Sequence, residues 1–346
     1  VCIASLCDYL LKKGFKIELA DNLYKNHSLL GMPKESDWVL HGPYSDISLI
    51  RNKLAYDLAR DMGRYAPRSE FCELIVNNEY LGVYLLVESI KVDKKRVNIK
   101  KNDAKSDPIK SYILKIDSGE NPLFRSAYKS KIDSGWYQYF YAVYPKTDKL
   151  TEKQRLTIKQ EIDLFEESLF KANNEYTNYI DLESFADYFI INELTKNIDA
   201  YRLSTFLHKN AGGKIQMGPV WDFNYSLGLT NYNNGFDTKG WVFEFEAVPF
   251  WWRKLLEKPE FKQLLIERWN VLHKETFDVN LILKKIDGYY VEIDIAQKRN
   301  FVRWDAFNNT FGVREYKVKS LDEETAIIKK WIEQRILWMD ENVKKL

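Results

Sequence analysis

An α+β fold in two parts is what the 346-residue sequence predicts, on three observations. Strand-like segments crowd the chain up to about residue 150, and amphipathic helical segments fill most of the rest. The two kinds do not alternate as βα units, which separates the chain from an ordinary α/β sheet protein. Apolar residues make up 45% of the chain, enough for a sizeable core and too many for a disordered polymer. The length allows two domains. The change of pattern predicts a sheet-rich part over 1–150 and a helical part over 151–346.

GFKIELAD (14–21) alternates as a half-buried strand does. SLLGMPKESDWVLHGPYSD is punctuated by Gly31, Pro33, Gly42 and Pro43 and reads as loop. Leu54, Ala55, Leu58 and Met62 set a helical spacing over 47–63, with Gly63 as its stop. FCELIV and YLGVYLLVESI are two strands joined by the hairpin signal Asn77-Asn78. SYILKID (111–117) is a further strand, 118–135 an exposed Ser/Gly/Lys loop, and WYQYFYAVYP a strand stopped by Pro145. LTIKQEIDLFEESLF and DLESFADYFIINELTKN (181–197) read as helices, the second capped by Asp181. STFLHK and KIQMGPVW form a short hairpin across Gly212-Gly213, and PEFKQLLIERWNVLHK and ETAIIKKWIEQRILWMDENVKK return to helix. No solenoid repeat is present.

The 52 basic and 50 acidic residues nearly balance, so nothing at the scale of the chain predicts nucleic-acid binding. Cys2, Cys7 and Cys72 are too few and too poorly spaced for a disulfide framework or a structural zinc site. With four His and neither HExxH nor GxSxG, zinc and serine hydrolases are weak readings. No run reaches the roughly 20 apolar residues of a membrane span. The compartment stays open: export, the cell surface and the cytoplasm all fit, because a leader can already have been removed.

The densest polar segment, TKNIDAYRLSTF (195–206), follows directly on an apolar helix, and GPVWDFN (218–224) sets Asp222 between two aromatics. A carboxylate in apolar surroundings is costly unless paired or metal-bound. A hairpin separates Asp199 from Asp222 and returns its ends close together, so both can face one cleft. Two such carboxylates suit phosphoryl transfer, one handling a hydroxyl and the other holding Mg²⁺. They also suit glycoside hydrolysis. The structural alternative has Asp199 capping a turn and Asp222 paired with Arg202 or Lys214. A sheet-rich lobe, a helical lobe and an Asp–hairpin–Asp between helices is the layout of a two-lobed atypical protein-kinase-like fold.

KKGFKIEL, LLGMPKESDWVLHGPYSD, LIRNKLAYDLARDMG, YAPRSEFCELIVNNEYLGVYLLVESI, LTKNIDAYRLSTF and GGKIQMGPVWDFNYSLG resemble the CotH kinase family, the spore coat protein H-like kinases. Weaker likeness runs on through WWRKLL, FKQLLIERW and WIEQRILWM, so the resemblance covers nearly the whole chain. It implies an atypical kinase fold that uses ATP and Mg²⁺ or Mn²⁺ to phosphorylate Ser of a protein substrate; many members are exported or sit on cell surfaces.

On this resemblance Asp199 is the catalytic-loop Asp, with Asn197 bracing its loop. Asp222 is the metal ligand of a DFG-like segment, here Asp222-Phe223-Asn224, and Ser204 and Asn224 compete as second ligands. Lys13 or Lys16 would support phosphates from the first strand. Arg51 would reach a phosphate, or tie the loop at Asp46. Glu88 would meet a ribose hydroxyl at the hinge, or pair with Lys91 or Lys94.

The resemblance departs at Val1–Leu11, where the family's Gly-containing phosphate loop has no counterpart. The implied function is ATP-dependent phosphoryl transfer to Ser or Thr of a protein, without nucleic acid as partner. The alternatives are a small-molecule or carbohydrate kinase, and a non-catalytic kinase-like surface or coat protein. The missing loop and Ser204 favour the last; the intact Asp pair opposes it.

Overall fold

The computed structural model describes residues 12–19, 26–103, 108–308 and 314–346. The departure at Val1–Leu11 and the end of the first expected strand lie outside them. The fold is α+β. Strands β1 (Phe15–Glu18), β2 (Asp37–His41), β3 (Ser69–Val76) and β4 (Glu79–Glu88) form an antiparallel four-stranded sheet in the order β1-β2-β4-β3. Asn77 and Asn78 both take positive φ, as a tight hairpin turn requires, and Asn tolerates that conformation better than most residues. Helix α1 (Arg51–Asp61) lies against this sheet. It starts later than its apolar spacing suggests, because the Asp46 carboxylate accepts from the Ser48 and Arg51 backbone N–H groups and folds 46–50 into a turn.

The second sheet contains β5 (Tyr112–Asp117), β6 (Phe124–Lys131), β7 (Ser134–Tyr144), β8 (Thr205–Lys209) and β9 (Ile215–Met217), in the order β6-β7-β5-β8-β9. Strand β6 corrects the expectation of a loop over 118–135. Its inward positions are Ser126 and Ser130, both buried, so no apolar alternation marks it; the Ser126 hydroxyl instead donates to Glu166. Since β5 to β7 precede residue 150 and β8 and β9 follow it, the change of composition there falls inside one sheet.

Helices α2 (Glu152–Ser168), α3 (Leu182–Leu194), α4 (Trp251–Leu256), α5 (Pro259–Leu272), α6 (Val279–Arg303) and α7 (Leu321–Asn342) complete the described fold. Thr151 and Gln154 close a capping box on α2, and the Asp181 side chain caps α3. α3 is buried along nearly its whole length and ends where the polar catalytic-loop candidate begins. One main core joins Val39 and Leu85 of the first sheet to Leu114 of the second and Met339 of α7, so the two parts share an interior.

Candidate active site

The segment after α3 turns sharply, with Lys196, Tyr201 and Ser204 at positive φ, before β8 carries the chain away. The chain returns through β9 to Asp222, also at positive φ (62°). Such strain in a non-glycine residue persists only where surrounding contacts hold it. Here they are explicit. The Asp222 backbone N–H donates to the Tyr56 hydroxyl (3.3 Å) and the Asn197 amide to the Asp222 carbonyl (3.3 Å). Asn197 thus braces the two loops together, while its buried Oδ1 has no partner among the described residues.

Asn52, in the first turn of α1, organises the segment. Its Oδ1 accepts from the Phe223 N–H (2.8 Å), which fixes the amide's orientation. Its Nδ2 then faces Asn224 Oδ1 (2.7 Å) and His41 Nε2 (3.0 Å). Nε2 must accept there, so His41 is neutral with its proton on Nδ1; burial, acting first, pushes its pKa down to about 4. The Asn224 amide is turned in consequence. Its oxygen faces Asn52 and its Nδ2 donates to Asp222 Oδ1 (2.6 Å). In this arrangement Asn224 orients the Asp222 carboxylate rather than presenting an oxygen beside it. The Ser204 hydroxyl reaches the other Asp222 oxygen at 3.4 Å.

Asp199 and Asp222 do share one site. Burial first, and then the charges of Asp199 and Asp117, push the Asp222 carboxyl up to about 7. Asp199 is raised as well, by burial ahead of Asp117, while the Arg202 guanidinium at 2.5 Å opposes the shift. A quarter of the Asp199 side chain remains exposed. Arg202 therefore pairs with Asp199 rather than with Asp222. Asp117, at the end of β5, is a third carboxylate the sequence did not single out; a lone acidic residue closing a strand gives no signal of what it faces.

The other expected binding residues lie elsewhere. Arg51 is fully buried, and its guanidinium faces Asp46 (2.5 Å), Glu324 (2.9 Å), Ser48, Tyr316 and the carbonyls of Ser226 and Leu227. These contacts occupy its donors, so it ties the loop rather than reaching a phosphate. Glu88 is buried and held by Arg68 (3.0 Å), the Tyr65 hydroxyl and Arg96 (3.7 Å), neither at a ribose nor on Lys91 or Lys94. Lys91 pairs with Glu35 and Asp37. Lys13 and Lys16 are exposed, Lys16 on β1 and Lys13 just before it. The buried neighbour Lys12 donates to the Val83 carbonyl (2.5 Å) and to Asn300 (2.8 Å), and burial takes its pKa down to about 7.

The donors around Asp222 are hard oxygens, which suit Mg²⁺ or Mn²⁺. Among the described residues no three His, Cys, Asp or Glu side chains gather as a metal cage. Arg202 pairs with Asp199 and Lys115 with Asp117, whereas Asp222 is desolvated beside both carboxylates and no cation is among the charges that act on it; a bound cation would supply that charge. A cavity of about 270 Å³ lies behind the end of α1, lined by Arg64, Asp187 and His208 and by Gly218, Pro219 and Val220, which lead into Asp222.

Over residues 7–339 the sequence matches the CotH kinase protein family. Inner spore coat protein H of Bacillus subtilis (strain 168) is 20% identical over 319 residues, covering 89% of this chain and 78% of that protein. Among solved structures, the Helicobacter pylori proinflammatory kinase CtkA aligns over 97% of this chain and 95% of its own, at 9% identity and a TM-score of 0.43.

Proposed function

The chain belongs to the CotH kinase protein family, whose general chemistry is kinase-like phosphoryl transfer, and from that premise we propose that it moves the γ-phosphoryl group of ATP to a Ser or Thr hydroxyl of a protein. Asp222 would hold Mg²⁺ or Mn²⁺, with Ser204 beside it and Asn224 and Asn52 fixing its carboxylate. The metal, when bound, neutralises charge on the phosphates. Asp199 orients the acceptor hydroxyl and takes its proton. The acceptor oxygen bonds to phosphorus as the bond from phosphorus to the ADP oxygen breaks.

The observation that carries this reading is the pair of raised, mutually repelling carboxylates on two braced loops. Arg202 on Asp199 favours the ionised form of the base, while burial, the larger effect, raises its pKa. The test is radiolabel transfer from ATP to a Ser-rich acceptor with Mn²⁺. Asp199→Ala should retain nucleotide binding and lose transfer, and full transfer by that variant would refute the role given to Asp199.

A second reading, a kinase-like coat or surface protein that binds without transfer, is favoured by one contact. The Asn224 oxygen is turned to Asn52, leaving Asp222 with little help from that side. Absence of radiolabel transfer to any acceptor by the folded chain in that assay would mark the second reading. A small-molecule or carbohydrate acceptor would show as transfer without a protein.

A further inference from the structure

The second sheet presents an open face that begins at the carboxylates. Across its strands Asp117 pairs with Tyr139, and Tyr139 pairs with Arg125. One step along the ladder, Tyr137 pairs with Lys129. Gln138 and Phe140 alternate inward and are buried, so the tyrosines point outward, and Tyr139 is 39% exposed. The Arg125 guanidinium lies 4.1 Å from the centre of the Tyr137 ring and Lys129 Nζ 5.6 Å from it. Nearer the site, Lys115 is neutralised by Asp117 at 2.5 Å, and at the far end Lys131 by Glu246 at 2.6 Å. No carboxylate pairs with Arg125 or Lys129 among the described residues. The face therefore carries two uncompensated cations around an aromatic ring, on a path leading straight to Asp117, whose charge Asp199 and Asp222 both feel.

We infer that this face docks an acidic, extended segment of the protein substrate, with Asp or Glu side chains on Arg125 and Lys129 while the acceptor hydroxyl lies at Asp199. The inference rests on the acceptor role proposed above for Asp199. Two strand spacings of about 4.8 Å separate Asp117 from Arg125, so the span is about 10 Å. Extended chain covers that in roughly three residues. The acceptor lies at Asp199, beyond Asp117, so the acidic positions fall no closer than three residues from it. Charge complementarity chooses this occupant: a basic segment would meet the two unpaired cations, and a neutral glycan would leave them unmatched.

The test needs no phosphoryl transfer. Two fluorescein-labelled peptides of Gly and Ala around one Ser are compared by anisotropy with the full chain at low ionic strength. One carries Glu three to five positions to either side of the Ser, the other Gln there. The Glu peptide should bind roughly five- to tenfold more tightly, an advantage that shrinks with added salt. Arg125→Ala with Lys129→Ala should erase it at an unchanged melting temperature, because both side chains lie on the open face, and Arg125→Lys should keep most of it. Equal binding of the two peptides, undetectable binding of both, or an advantage that survives the double replacement overturns the inference. Failure of the kinase reading is seen separately, in the absence of metal-dependent ATP binding.

Discussion

Asp222 carries a carboxyl that the fold holds protonated up to about pH 7, against 3.8 for the free side chain. Between those values the folded chain binds a proton that the unfolded chain has lost, so stability falls as pH rises through the interval and is level above it. Asp222→Asn removes that penalty. It should melt several degrees higher than the parent chain at pH 8 without metal, a gain on the order of 1–3 kcal/mol after allowing for solvent, and no higher at pH 4. A thermal melt at the two pH values checks this. Metal has to displace the same proton. Mn²⁺ affinity for the ATP-loaded chain should climb up to about tenfold per pH unit below 7 and flatten above, as read by titration at several pH values. Asn52→Ala should lower nucleotide-metal affinity and cost about 1–3 kcal/mol of stability, since it strands the Phe223 N–H and frees Asn224 to turn. Asp199 and Asp222 stood out in the sequence because one lies in a polar segment directly after an apolar helix and the other between two aromatics after an apolar strand. Asn52, His41 and Asp117 were not, because each reaches the site from a different element across a long stretch of chain. For Arg51 the sequence left a phosphate and the Asp46 loop as alternatives, and the structure shows the loop. Glu88 faces Arg68 and Tyr65 instead of either expected partner, because buried carboxylates and guanidiniums look the same in sequence whether they face a ligand or one another.

The elements with strong periodicity or local caps were readable. The β3–β4 hairpin forms on its two Asn residues, and α2 and α3 start at the caps their sequences advertise. β6 was hidden because its buried face is built from Ser rather than apolar residues. Arg51 joins three pieces that are distant in sequence: α1, α7 through Glu324, and the loop after Asp222 through the Ser226 and Leu227 carbonyls. Arg51→Leu would leave Asp46 buried without its cation and Glu324 with only Arg314 and Tyr316. It should cost about 3–5 kcal/mol, a drop seen in chemical denaturation. A variant of near-parental stability that had lost ATP affinity would return Arg51 to the phosphate role.

At the scale of the whole molecule the candidate site lies where two sheets and α1 converge, over a core that both sheets share. The two-part reading of the sequence caught the α+β class, while the second sheet, which draws strands from both sides of residue 150, could not be seen from composition. A continuous core predicts a single cooperative transition in calorimetry, with van't Hoff and calorimetric enthalpies in agreement, rather than one for each part. If Asp222 anchors a metal-dependent nucleotide site, calorimetric titration of the full chain with ATP, with and without Mn²⁺, will show it. Binding should saturate, require Mn²⁺ and disappear in a folded Asp222→Ala variant. ATP binding that is indifferent to both the metal and that replacement, or no binding under any metal, would contradict it.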